Sequence, residues 1–294
     1  MSTRPDELAN EGTVPATDDE PVGIAGAGGS TRAPSVRGVI NSKLFGYALS
    51  TVVILAVWAA VAVIFRVPEY ILPLPHDVLR AMVDDADLFW PATVVTLRET
   101  LVGFGIAVGV GVPVGAAISF SKAVERLMYP MLVSAQAVPK VALAPLFVIW
   151  FGYGGTTIAL VAASIAIFPI IVNTALGLGL IEADMVRLGR IMGGSKWRLF
   201  RKIRLPIALP SIFAGMKLGI TLALIGAVVG EFVASSSGLG YIAQASSGNL
   251  QTERTFGALV ALSAMGIVLF LLIEGLEKLF VGWHPSQQTV DTGM

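Results

Sequence analysis

The side chains able to do chemistry are few and scattered. Gly189–Lys196, GRIMGGSK, comes close to the phosphate-cradling pattern of a glycine, four residues, then Gly-Lys-Ser/Thr, but its last two residues stand reversed, Ser195 before Lys196. That pattern works where a strand enters the loop and a helix leaves it. Here residues 156–180 before it form an apolar run of membrane-helix length, so this chain is not expected to bind a nucleotide. His76 and His284 lie far apart in polar segments, which disfavours a two-histidine metal site. There is no cysteine, which removes disulfides, thiolate metal ligands and cysteine nucleophiles. No cluster of His, Asp and Glu, and no nucleophile with a base beside it, supports an enzyme.

What remains is charge inside apolar runs: Lys140, Lys217, Glu231 and Glu274. Such charge is costly and ordinarily faces a cavity or a partner. Lys140 follows Pro139 and precedes Pro145. It either lines a path for an anionic solute, or binds a carbonyl freed by the prolines or a carboxylate. A helix broken at depth is tolerated where it is buried or lines water, which makes Pro139–Pro145 the candidate wall of a translocation pathway. Glu231, near the outer end of its run, is either a helix-end ion pair or a gate contact. Lys217 and Glu274 are expected to be structural.

The elements that must hold these residues are membrane helices. The sequence is 55% hydrophobic and 14% charged, with a mean hydropathy of +0.78, whereas soluble domains carry about 25% charged residues. Net charge is zero, so no nucleic-acid partner is expected. A bilayer core needs about 20 apolar residues per helix. Runs at about 44–65, 91–120, 127–151, 156–180, 206–233 and 256–281 predict an all-α polytopic protein with six transmembrane helices, its membrane domain covering 44–282. The third run is broken by Pro139 and Pro145. The first is too long for a signal-peptide core and follows a polar tail, 1–43, whose Asp, Glu, Pro, Gly and Ser predict disorder. A second short tail, 283–294, follows the last run.

Basic residues in short loops mark the cytoplasmic side. Residues 181–205 hold Arg187, Arg190, Lys196, Arg198, Arg201, Lys202 and Arg204 against Glu182 and Asp184. Lys122 and Arg126, and also Arg32, Arg37 and Lys43, fall on the same side of a six-span topology. The expectation is a multi-pass protein of the cell membrane with both termini cytoplasmic. Within the basic segment, Trp197, Phe200 and Ile203 recur at helical spacing, Ser195 suits an N-cap, and Pro206 suits the first turn of the next span. Such an amphipathic piece either lies in the membrane interface or docks a cytoplasmic partner. Gly103, Gly105, Gly109, Gly111 and Gly115 crowd the second run, and Gly226 and Gly230 the fifth, giving smooth faces for packing inside the bundle or against a second copy.

Gly193, nine residues, Ile203, one residue and Leu205-Pro206 resembles the cytoplasmic loop E-A-A-x3-G-x9-I-x-L-P of ATP-binding-cassette importer permeases. The E-A-A positions differ, being Arg187, Leu188 and Gly189. ILPLPHDVLRAM (Ile71–Met82), VPKVALAPLFVIWFGYG (Val138–Gly154), FPIIVNTALGL (Phe168–Leu178) and GEFVASSSGLGYIAQA (Gly230–Ala245) resemble the subgroup associated with sulfonates, taurine and nitrate. The resemblance implies the MetI-like fold of type I importers and alternating access. It implies a coupling helix at Arg187–Ser195, with Arg187, Leu188, Gly189, Arg190, Met192, Gly193, Gly194 and Ser195 meeting the ATPase, and Trp197, Phe200, Ile203, Leu205 and Pro206 as its framework. The implied partners are an ATP-binding-cassette dimer, an extracytoplasmic solute-binding protein, a second copy of the chain and the bilayer. The chain would hold no cofactor, with ATP and Mg on the ATPase. The solute would be small, an anion if Lys140 lines the path. The alternative is an ion- or proton-coupled secondary transporter, for which the sequence offers few buried carboxylates.

Overall fold

The computed structural model describes residues 52–179, 191 and 195–281, and among them every regular element is a helix. Helix α1 covers Val52–Ile64. Helix α2, Pro75–Asp84, opens on a proline, whose missing N–H costs nothing in a first turn. Helix α3 runs 34 residues, Ala86–Ser119, through Pro91 in its second turn and Pro113. Helix α4, Lys122–Gln136, is followed by a 3₁₀ turn, Lys140–Leu143, and helix α5, Ala144–Phe151. Helix α6 is Gly155–Gly179. A short helical lead-in, Lys196–Leu199, and a π-turn, Phe200–Arg204, feed helix α7, Leu205–Ala234. Helices α8, Leu239–Gly248, and α9, Thr252–Phe280, complete the described chain.

Among the described residues, four helices are long and apolar enough to cross a bilayer: α3, α6, the rod Trp197–Ala234 and α9. Helix α1 and the stretch Lys140–Phe151 are apolar but shorter. Of the six expected runs, the first is described only from residue 52, and residues 1–51 and 282–294, including both expected tails, lie outside the described residues. The third run is broken at Ala137–Pro139. Pro145 does not break it further, because it falls in the first turn of α5. The second run begins at Ala86, ahead of Pro91, which lies inside α3 in its second turn and leaves the Asp87 carbonyl without its intrahelical donor.

Helix α6 lies between α3 and α7, and glycines let both approach it. A Cβ on Gly103 would stand 2.6 Å from Ala162 Cβ, and one on Gly115 2.7 Å from the Ile171 carbonyl oxygen. From the other side, a Cβ on Gly226 would stand 2.7 Å from Ala162 Cα, and one on Gly219 2.8 Å from Ile170 Cδ1. Small residues at intervals of four, Gly103, Ala107, Gly111 and Gly115, thus form one internal face of α3. Gly105 and Gly109 meet nothing and look outward. The core clasped this way contains Ile158, Ala162, Ala166 and Ile170 of α6, with Ile220, Ala223 and Ala227 of α7.

The two glycine faces make opposite predictions. Gly226→Val must push α7 off the α6 backbone and should cost about 1–3 kcal/mol as overpacking. Gly109→Ala should change stability by no more than about 1 kcal/mol. Thermal unfolding in detergent checks both, and equal losses would contradict the assignment of faces.

Candidate functional site

The bundle has a basic end and a polar end, joined by α7. At the basic end Ser195 occupies the N-cap position, its hydroxyl accepting the Arg198 N–H at 3.3 Å. Trp197 and Phe200 stack with ring centroids 5.7 Å apart, and Phe200 meets Phe120 at 5.5 Å. Phe200 and Leu205 pack on Leu178, Ala208 and Ile212, and Ile203 and Pro206 are half-buried. Arg198, Arg201 and Lys202 face outward. Leu199 is the buried residue of the lead-in, and Trp197 is 69% exposed. The Leu205 N–H reaches the Phe200 carbonyl, the wide bond of a π-turn, so helix continues from the lead-in past Pro206 into the span. Arg187, Leu188, Gly189, Arg190, Met192, Gly193 and Gly194 lie outside the described residues.

At the other end Glu231 is fully buried near the end of α7. Burying a carboxylate is expensive unless donors surround it. Thr96 of α3 donates its hydroxyl to Glu231 Oε1 at 2.6 Å, and the Gly240 N–H donates to Oε2 at 2.6 Å. The Leu239 N–H donates in turn to the Thr96 hydroxyl at 2.8 Å. The amides come from the first turn of α8, where the helix dipole favours negative charge. Gly238 precedes that turn with φ +103, and a Cβ there would collide with the Glu231 carboxylate. Glu231 is therefore a hydrogen-bonded junction of three elements. Among the described residues it forms no ion pair, and the Glu99 carboxyl group shares a hydrogen bond with it.

Glu99, one turn after Thr96, is the residue the sequence analysis missed. Thr96, Glu99 and Thr100 recur at helical spacing on one buried face, and that polar periodicity was the available signal. Lys140 stands over the Phe168 ring, its Nζ 4.4 Å from the centroid, so an aromatic face of α6 meets its charge. Phe168 and Gly155 are 13 residues apart on α6, roughly 20 Å, so Lys140 and the Glu231 junction form separate sites. Lys217 pairs with Glu277 of α9 at 2.7 Å, mostly buried, and Glu274 pairs with Lys278 one turn on. Beyond Glu231, Arg254 grips Asp85 with two bonds, 2.6 and 2.9 Å, and Thr252 donates to the Tyr70 carbonyl at 2.7 Å. These contacts border an open cavity of about 1160 Å³ lined by Arg66, Glu69, Asp77, Arg80, Asp84 and Glu253 among others.

Residues 107–282 match the family described as the inner membrane component of binding-protein-dependent transport systems. A riboflavin transport system permease protein, RibX, of Chloroflexus aurantiacus is 35% identical over 86% of this chain and 96% of its own length. A formylaminopyrimidine transport permease protein, ThiX, of Halalkalibacterium halodurans is 32% identical over 80% of this chain and 94% of its own. The taurine transport system permease protein TauC of Escherichia coli is 28% identical over 80% and 88%. Among solved structures, an inward-facing MetNI methionine transporter contains a chain that superposes with a TM-score of 0.58 at 17% identity, over 67% of this chain and 98% of that one. That likeness is one of fold.

Two substitutions probe these junctions. Thr96→Val removes the donor to Glu231 and the acceptor for Leu239 together, and should cost about 1–3 kcal/mol with faster proteolysis around residues 235–250. Lys217→Met leaves Glu277 buried without its cation and should cost about 3–5 kcal/mol, with Lys217→Met/Glu277→Leu recovering much of the loss. Unfolding curves that show simple additivity for the second pair would exclude the buried ion pair.

Proposed function

The chain belongs to the family of inner membrane components of binding-protein-dependent transport systems, and from that membership and its MetI-like fold we infer how it works as the permease subunit of an ATP-driven importer. The observation that carries the reading is the unbroken rod Trp197–Ala234, which connects the basic end to the Glu231 junction. A loop would absorb motion applied at one end; a continuous helix transmits it. The basic end faces the cytoplasm of the cell membrane, with both termini on that side, by the excess of Lys and Arg. There Arg187–Ser195 docks as a coupling helix on an ATP-binding-cassette dimer, which carries ATP and Mg. The permease contributes no catalytic group and holds no cofactor.

At the opposite end the large charged cavity and the Asp85–Arg254 clamp receive a soluble solute-binding protein, whose surface charges meet those of the rim. A second copy of the chain completes the pathway, and ATP binding changes which side is open. The Pro139–Lys140 break contributes to the wall, where a broken helix is permitted. The solute is a small organic molecule. The named relatives move compounds as different as riboflavin and taurine, which favours selection by the binding protein over selection by the permease.

The test is reconstitution of the chain with its ATPase and binding protein in proteoliposomes. Gly193→Pro is expected to leave membrane insertion intact and to abolish solute uptake while hydrolysis continues. Uptake at the unaltered rate would refute the coupling assignment.

A further inference from the structure

We infer that the cavity between α3 and α6 beside Glu99 binds the headgroup of an aminophospholipid, a zwitterion with a primary ammonium next to a phosphate. The cavity encloses about 350 Å³, and its walls include Arg98, Glu99, Thr156, Val95, Val102 and Ile106. That volume suits a small ligand or a headgroup.

Glu99 sets the chemistry. It is only 7% exposed, and its Oε2 is buried without a hydrogen-bond donor among the described residues. Thr96, one turn before it, holds Glu231 close by, and Glu231 is itself an acceptor already engaged by Thr96 and Gly240. The two carboxyl groups thus sit together and share a hydrogen bond, the Arg98 charge acts on Glu99, and Glu99 Oε2 is the atom left without a partner. A buried acceptor in that position needs a donor, and the cavity is where one can enter. A primary ammonium brings three N–H groups and a positive charge.

The neighbouring residue supplies the opposite half. Arg98 is exposed, and its charge acts on the neighbouring Glu99. A guanidinium binds phosphate through paired, charge-assisted bonds. Consecutive positions on α3 therefore present a positive and a negative group in the order a phosphoethanolamine needs, and the Thr156 hydroxyl lies in the same wall.

Depth selects a lipid as the source. Gly155 opens α6, and a Cβ on it would lie 3.0 Å from Glu99 Oε1, so Glu99 is level with the end of a spanning helix. Helix α3, at 34 residues, is roughly 51 Å long, against a hydrocarbon core of about 30 Å. With the Ser119 end at the edge of the core, the excess of about 21 Å spans about the first 14 residues, which puts Arg98 and Glu99 at headgroup level. One and two turns further in, Val102 and Ile106 are 48% and 38% exposed on the same wall, positioned to meet the start of the acyl chains.

The experiment measures lipid retention by the full chain, purified with its partners into nanodiscs of defined composition and then analysed by native mass spectrometry. Phosphatidylethanolamine and phosphatidylcholine share the phosphate, but choline has no N–H. Wild-type protein should retain phosphatidylethanolamine roughly tenfold better, the discrimination one charge-assisted hydrogen bond provides. Glu99→Gln should bring the two lipids to parity, and Arg98→Gln should reduce retention of both. Parity in the wild type, a comparison that needs no variant to fold, would overturn the assignment. So would a preference that survives Glu99→Gln, retention indifferent to Arg98→Gln, or displacement of the lipid by an equal concentration of free phosphoethanolamine.

Discussion

A carboxylate cannot be buried alone, and the half of this protein away from its basic end is organised by that rule. Glu231 sits at zero exposure, and its three donors come from two other elements: the Thr96 hydroxyl on α3, and on α8 the Gly240 amide and, through Thr96, the Leu239 amide. None of the three could shift without leaving the charge undersupplied. The penalty for leaving it so exceeds the worth of any single neutral hydrogen bond, so the junction behaves as one unit. It fixes where α7 ends, how α8 turns back, and which face of α3 looks inward. Gly238 fits the same logic, since its left-handed conformation and missing Cβ allow the turn to close over the carboxylate.

Away from that junction, shape dominates. Lipid tails are as apolar as leucine, so helices in a bilayer gain little by hiding apolar surface from them. Close contact is what holds α3, α6 and α7 together. The glycines that face α6 bring backbones and side chains to van der Waals distance along nearly its whole length. The Lys217–Glu277 pair adds specificity between α7 and α9, because a slipped register would strand either charge. The aromatic contact of Lys140 with Phe168 does the same for the broken third run.

The apolar runs made α3, α6, α7 and α9 legible, because length and hydropathy are properties of contiguous residues. The break near Pro139 was legible too, but not the innocence of Pro145, which depends on where α5 starts. Glycine spacing announced tight packing, yet its assignment to faces needed the structure: Gly103 and Gly111 turned inward and Gly105 and Gly109 outward. The Glu231 junction was half visible. Its carboxylate stood out in an apolar run, but its partner Thr96 lies 135 residues away in a segment of ordinary polarity, and nothing local joins the two. Glu99 was hidden for the same reason. Of the motif that pointed to the basic loop, Ile203, Leu205 and Pro206 are described, while Gly193 and the positions 187–189 lie outside the described residues, so its framework is seen and its tip is not.

The π-turn at Phe200–Arg204 has a geometric corollary. A widened turn accommodates about one residue more than the α-turn it replaces, and each residue of an α-helix advances the azimuth by about 100°. The stripes of side chains above and below the turn are therefore out of phase by about that angle. A helical wheel drawn straight through Trp197–Ala234 would assign wrong neighbours to one half or the other. The azimuth at which the basic stub presents its arginines is thus turned, by that one fixed angle, from where a straight α-helix would put it relative to the glycines of the span.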